Sequence, residues 1–427
     1  MIKVLKTIGT FVLCVIGACI IIVIIGWITD LGTRGQLKKE GEKSLTFLKQ
    51  FQMEPQDNAW DYYNQVIEDM KKRKLDYVVS QYLTQEIELT PEVKTEITAY
   101  PDLIQLIRQG NAQPDCWIPI PYEEGAAAWI PEYVHLSGAA KVIGAQALAA
   151  LENNDPDKAL DRNLLGLSYA QHMVHGTPIL INYMVSLVIL GVQLNTIEYA
   201  LMHDAYDADQ LERLHKALTD YEEGFPSLLV SLQVEQATMS LTIANWPAGE
   251  SMFQSIGVLE SNILYGFGER LISWRYWFSM RNSILHAIRY TNNMLATAEQ
   301  SMVGKKGVEQ DIAVLQSLEQ SRPEKYAKKN LFFGLYMPNL PSMFSRKLNS
   351  QARIRMVQCA VILRSHQKKY GNFPQKLDAF DQDITRDPFT NETWEYIIND
   401  KEITLQSPGF DQDYNTDDDI AIILQGK

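Results

Sequence analysis

Cysteine is scarce in this 427-residue chain: there are four, and Cys14 and Cys19 fall inside an apolar N-terminal run. Only Cys116 and Cys359 remain for the body, so a disulfide framework is not implied, and the choice is between one bridge and two separate buried thiols. Positive charge is also short. Against 39 Lys and Arg stand 52 Asp and Glu, a net charge of -13, which argues against nucleic-acid partners because a phosphate-tracking surface needs clustered cations. Also missing are a Gly-x-Ser-x-Gly elbow, a GxxxxGK(S/T) loop, a strand-borne GxGxxG and an HExxH helix, so no motif forces an enzymatic reading. Disorder is excluded too, since 46% of the residues are hydrophobic and 21% charged.

What is present begins with a long greasy stretch. From Ile8 to Ile28 no residue carries a charge, and about twenty residues at roughly 1.5 Å each match a hydrocarbon core about 30 Å thick. A cleaved signal would be shorter and end in small residues, whereas Trp27 and Asp30 follow here. The reading is a retained single-pass anchor contacting membrane lipid through residues 8–28. Lys3 and Lys6 on one side are balanced by Arg34, Lys38, Lys39 and Lys43 on the other, so charge alone leaves the orientation open.

Four parts follow from the punctuation of the chain: an anchor at 1–30, a stalk and first helical layer with a Pro-rich connector at 31–125, a helical body at 126–340, and a long helix with an acidic β-module at 341–427. The connector CWIPIPYEEG reads as extended, because Pro119 and Pro121 break any helix; Glu123 and Glu124 there should then point to opposite sides. Asp155 before Pro156 reads as an N-cap ahead of a first-turn proline. The same grammar at Thr177 and Pro178, after Gly176, predicts a second helix to about Met202 that is apolar nearly all round and suits a core position. Further helices are expected at about 207–222, 226–245, 251–302, 307–320 and 341–370. On the last, Ala352, Met356, Cys359 and Leu363 share a face, which predicts that most of the basic residues between Arg322 and Lys369 point outward. The segment NNDPDKALDRNLLGLSYAQHM is similar to half of a tetratricopeptide-type hairpin, without a 34-residue period along the chain. FGERLISWRYWFSMRN mixes Trp274, Trp277 and Phe278 with Arg270, Arg275 and Arg281, a composition that suits either a membrane interface or internal packing.

The C-terminal stretches LRSHQKKYGNFPQKLDAF, ITRDPFTNETWEYIIND and ITLQSPGFDQDYNTDDDI resemble the C-terminal part of type II secretion major pseudopilins, over about residues 345–422. Tyr370, Gly371, Phe373 and Pro374 match the helix exit, and Asp387, Pro388 and Phe389 match the Asp-Pro turn. Ser407, Gly409, Asp411, Asp418, Asp419 and Ile420 match the terminal loop. Gln412 and Asn415 stand where glycines are usual, and Phe389 where tryptophan is commoner. The anchor lacks the processed Gly-Phe junction and its glutamate, so pseudopilus assembly is not implied. The whole arrangement, with the connector and helical pairs, resembles an uncharacterised family of membrane-anchored bacterial envelope proteins. The resemblance implies a bacterial inner-membrane, single-pass protein with a periplasmic or otherwise extracytoplasmic body. The expected fold class is mainly α: a transmembrane helix, a helical bundle or α-solenoid, and a small α+β pseudopilin-like module.

The resemblance also implies a calcium loop. By residue type, Asp411, Asp413, Asn415, Asp417, Asp418 and Asp419 supply the oxygens that a hard cation with six to eight ligands requires. Thr416 and Ile422 stand where an EF-hand needs Gly and Glu, so it is not an EF-hand. A structural calcium of the weak extracellular class, roughly 10⁻⁴ to 10⁻³ M, is the expectation, with a solvated acidic tail as the alternative. His172 and His175 lie one helical turn apart and could face one metal, but catalytic zinc wants a third ligand. Two functions stay open: an envelope interaction or scaffolding protein with a protein partner, and a membrane-tethered hydrolase using those histidines and scattered acids. The first should show an exposed apolar groove, the second a buried polar cluster.

Overall fold

A computed structural model describes residues 32–52, 56–72, 77–84, 88–245, 267–305, 307–321, 323–327, 340–378, 380, 382–399, 402–409 and 411–426. The expected anchor at 8–28 lies outside the described residues, as do the side chains of 267–281 with the aromatic and arginine stretch noted above.

The chain is mainly helical. After a helix over 32–48 (α1) come α2 (Ala59–Lys72), α3 (Tyr77–Leu83), α4 (Pro91–Thr98), α5 (Pro101–Asn111), α6 (Tyr133–Glu152), α7 (Pro156–His175), α8 (Leu180–Met202), α9 (Ala208–Glu223) and α10 (Leu228–Ala244). Then follow α11 (Phe267–Ser301), α12 (Gly307–Gln320), α13 (Pro323–Ala327), α14 (Leu340–Tyr370) and α15 (Gln382–Thr385). Three antiparallel strands, β1 (Glu395–Asn399), β2 (Glu402–Ser407) and β3 (Ile420–Gln425), lie in that order, with Leu405 opposite Ile422.

Helices α6, α7 and α8 pack on one another at the centre. Small residues make this possible: Ala139, Ala140, Ala145 and Ala147 are fully buried on α6 and let its neighbours approach. Helix α8 is apolar nearly all round because it meets α6 and α7 on one side and α10, α14 and β3 on the others. It and α6 are long and apolar enough to cross a membrane, yet 61% and 67% of their apolar windows are buried within the protein. A polar chain threads this core: Tyr206 Oη accepts from Asn163 Nδ2 at 2.9 Å, and Thr196 Oγ1 donates to Asn163 Oδ1 at 2.6 Å. Each buried polar atom here meets a partner, which is what keeps such a chain from destabilising the core.

Trp60, Tyr63, Val66, Ile67 and Met70 of α2 are buried in the same cluster, so this first layer rests on α5 and α6. The sheet joins it as well. Alternation along β3 buries Ile420, Ile422 and Leu424, and with Ile403 and Leu405 of β2 they form one face packed on α14 and α8. A second cluster gathers Leu180 and Tyr183 of α8, Leu228 and Leu232 of α10, Leu295 of α11, Val314 of α12 and Phe344 of α14. Cys116 and Cys359 are separate, buried thiols, each pushed up to about 12 by burial.

Asp155 caps α7 as its position predicts, accepting from Lys158 N at 3.1 Å. Three local expectations need correction. Thr177 does not cap α8, whose N-cap is Ile179. Its hydroxyl instead accepts from Ile118 N at 2.6 Å and donates to Ile118 O at 3.1 Å. Gly176 does end α7, but with φ -68; a glycine is required because a Cβ there would sit 2.5 Å from Cys116 O. The connector is extended only to Pro121, then curls into a 3₁₀ turn at Tyr122–Ala127 that contains both Glu123 and Glu124.

The largest correction concerns the basic helix α14. The predicted face is buried, but so are Ile354, Val357, Ala360 and Val361, because α14 passes between α8, α9, α12 and the sheet. Five of its seven cations therefore turn into the body, while Arg346 and Lys369 stay exposed. Arg353 pairs with Glu198 at 2.6 Å, Arg355 with Glu222 at 2.5 Å and Lys368 with Asp204 at 2.6 Å. Lys347 meets Asp311 at 2.5 Å with both side chains almost wholly buried. The Arg364 guanidinium is buried, donating to Leu201 O and Met202 O at the end of α8 and to Gln425 O at the end of β3. One arginine thus satisfies orphan carbonyls of a helix terminus and ties the sheet to it.

Candidate functional site

The acidic loop satisfies itself. Asp411 N donates to Asp418 Oδ2 at 3.1 Å, Asp413 N to Asp411 Oδ1 at 2.9 Å and Asn415 N to Asp419 Oδ2 at 2.7 Å. Thr416 Oγ1 donates to Asp418 Oδ1 at 2.7 Å, and Gln406 Nε2 reaches Asp419 Oδ2 at 3.3 Å. Gln412 and Asn415 adopt φ of 63° and 69°, the left-handed backbone for which glycine is the usual solution and which Asn tolerates. Two residues matched far apart in sequence meet beneath the loop: Ser407 Oγ donates to Asp387 Oδ2 at 2.7 Å, while Phe389 N donates to Asp387 Oδ1 at 2.8 Å. Burial holds the Asp387 carboxyl above its ordinary range. Asp411, Asp418 and Asp419 thus each accept from an amide of the same loop. Among the described residues no three His, Cys, Asp or Glu side chains gather around one point.

His172 and His175 have different surroundings. The His172 ring packs edge-on to Tyr63 with centroids 6.4 Å apart, and its Nδ1 is buried without a partner; burial, then the neighbouring His175, lowers its basicity. His175 is exposed. No third ligand joins them among the described residues.

A different place has the shape of a binding site. A cleft of about 410 Å³ opens between the connector, the start of α8, the middle of α10 and the start of α14. Its walls are Ile120, Ile130, Ile179, Leu180, Ile181, Met184, Met239 and Met343, and its volume falls within the range of ligand pockets. The connector is locked in place from three sides. Asn58 accepts from Trp117 N at 2.9 Å and donates to Trp117 O at 2.8 Å, Thr177 holds Ile118 as described, and Gly125 lies directly on α10. With φ +61, Gly125 leaves no room for a Cβ, which would sit 2.3 Å from Thr242 Oγ1. A rigid wall results.

No family model matches the chain, and no curated protein or solved structure is found similar to it. What the cleft can hold is therefore set by its own lining. Three residues of the described lining carry polar side chains, Tyr122, Glu235 and Thr238, and the Thr238 hydroxyl donates to Val234 O of its own helix. Glu235 is the one charged residue of that lining and has no hydrogen-bond or ion-pair partner among the described residues; burial raises its carboxyl above the ordinary value. The Tyr122 hydroxyl is buried and has no hydrogen-bond partner among the described residues. The motif reading missed both, although a lone acid in LLVSLQVEQATMSL, between apolar turns of one helix, is a legible departure from pattern.

Proposed function

We propose that this chain is an interaction protein of the bacterial envelope, tethered in the inner membrane through residues 8–28, with the helical body outside the cytoplasm presenting the cleft to a protein partner. The observation that carries the proposal is the exposed apolar groove itself. Ile130 and Ile181, which line it, are 51% and 43% exposed, and Trp129 beside them is 52% exposed. Apolar side chains held open by a braced connector suit the anchor residues of a partner. Methionine at three positions of the lining adds adaptability, since its flexible thioether repacks around different shapes. The hydrolase reading would need a third group beside His172 and His175, and the described geometry supports the groove better.

The experiment is co-purification of the full-length protein from detergent-solubilised membranes, comparing wild type with Ile181→Arg. A partner that is retained by wild type and lost from the folded variant is expected. Equal recovery with both proteins would remove the cleft from the interaction.

A further inference from the structure

The chemistry of the cleft narrows the partner, an inference that rests on the binding reading above. A carboxylate set in an apolar wall, with no counter-charge among the described residues, is unfavourable for the free protein, and a cation brought by a ligand relieves that cost. A lysine side chain fits both features at once: its methylene stem lies along isoleucine and methionine while the ammonium reaches the acid. The apolar surface of the rim suits an occupant larger than one side chain. Ile181 and Val188, 43% and 50% exposed, lie two turns apart on one face of α8 and continue the apolar surface beyond the cleft. We propose that the cleft binds a segment of a partner protein in which a lysine sits among apolar residues, its ammonium pairing with Glu235.

The test uses the full-length chain in lipid nanodiscs and a phage-displayed library of random peptides, the selected sequences being resynthesised for titration. Selected peptides should share a lysine flanked by apolar residues, and replacing that lysine by norleucine should weaken binding by about tenfold or more. Glu235→Gln should weaken the lysine peptide to the same degree and leave the norleucine peptide unchanged. Selected peptides without lysine, or indifference to Glu235→Gln, would overturn the proposal. Ile181→Arg separates the two levels, because its site is already half exposed and tolerates charge. If it abolishes binding while Glu235→Gln does not, the groove stands and the lysine falls; if it leaves binding intact, the groove reading itself falls. Octylamine binding as tightly as the selected peptides would assign the cleft to a small amphiphile and overturn the commitment to a protein partner.

Discussion

The loop at 411–419 concentrates acids and the cleft contains one, and the two places differ in whether those acids find partners within the described structure. In the loop, Asp411, Asp418 and Asp419 accept hydrogen bonds from amides of the same turn, so their negative charge organises backbone. At Glu235 no described group answers the carboxylate, and the surroundings are isoleucine and methionine. A polar group whose bonds are complete is structure, whereas a half-buried one left incomplete lowers stability unless something else completes it. The number of acids in a segment therefore says less about function than whether their partners are internal.

The sharpest way to break that comparison is to make an internally paired charge resemble Glu235. Lys347 and Asp311 join α14 to α12. Burial pushes the aspartate up and the lysine down in proton affinity, and their contact opposes both shifts. Lys347→Met keeps the stem and deletes the charge, leaving Asp311 buried and unpaired. A loss of about 3–5 kcal/mol is expected in urea-induced unfolding, with Lys347→Met/Asp311→Leu returning most of it. A single variant as stable as wild type would show that the pair is not the closed internal contact described here.

Glu235 should behave in the opposite way. Glu235→Leu removes a charge that no described group satisfies and adds apolar area to an apolar wall, so a gain of about 1 kcal/mol is expected, at the expense of binding. The pH dependence fixes the sign. A carboxyl whose folded proton affinity is raised above its ordinary value of 4.5 stabilises the fold below that value, and the contribution is lost as pH rises through the folded value. The advantage of Glu235→Leu over wild type should thus grow from pH 4 toward neutrality and then level off. A constant difference across that range would mean that Glu235 is not desolvated in the free protein.

How far the sequence could lead follows from the distance over which each feature is encoded. The ends of α7, α9, α10, α12 and α14 were legible because capping and periodicity are local, as with Asp155 ahead of Pro156. Thr177 before Pro178 shows the same signal misleading: a tertiary contact with Ile118, 59 residues away, outcompetes the cap. The reading of α14 failed for a related reason. Its basic residues have partners on α8, α9 and α12 that no window of adjacent sequence contains, so the charges looked solvated. The cleft is assembled from four separated segments and was not legible as a cavity. Only the isolated acid of α10 hinted at it.

The smallest effect belongs to the loop. Asp413 and Asp417 are exposed, and their carboxylates accept no hydrogen bond from any described residue. Replacing both with asparagine should change stability by less than about 0.5 kcal/mol, the scale of surface substitutions that disturb no network. Calcium supplies the sharper arm. An ion bound at a dissociation constant near its own concentration stabilises by only about 0.4 kcal/mol through mass action, so a millimolar addition to the full-length protein should move the thermal midpoint by no more than about a degree. A rise of several degrees, abolished in the double asparagine variant, would mean that the aspartates leave their internal amides for the metal. The loop would then join the cleft as a feature completed from outside, and the contrast between the two would fail.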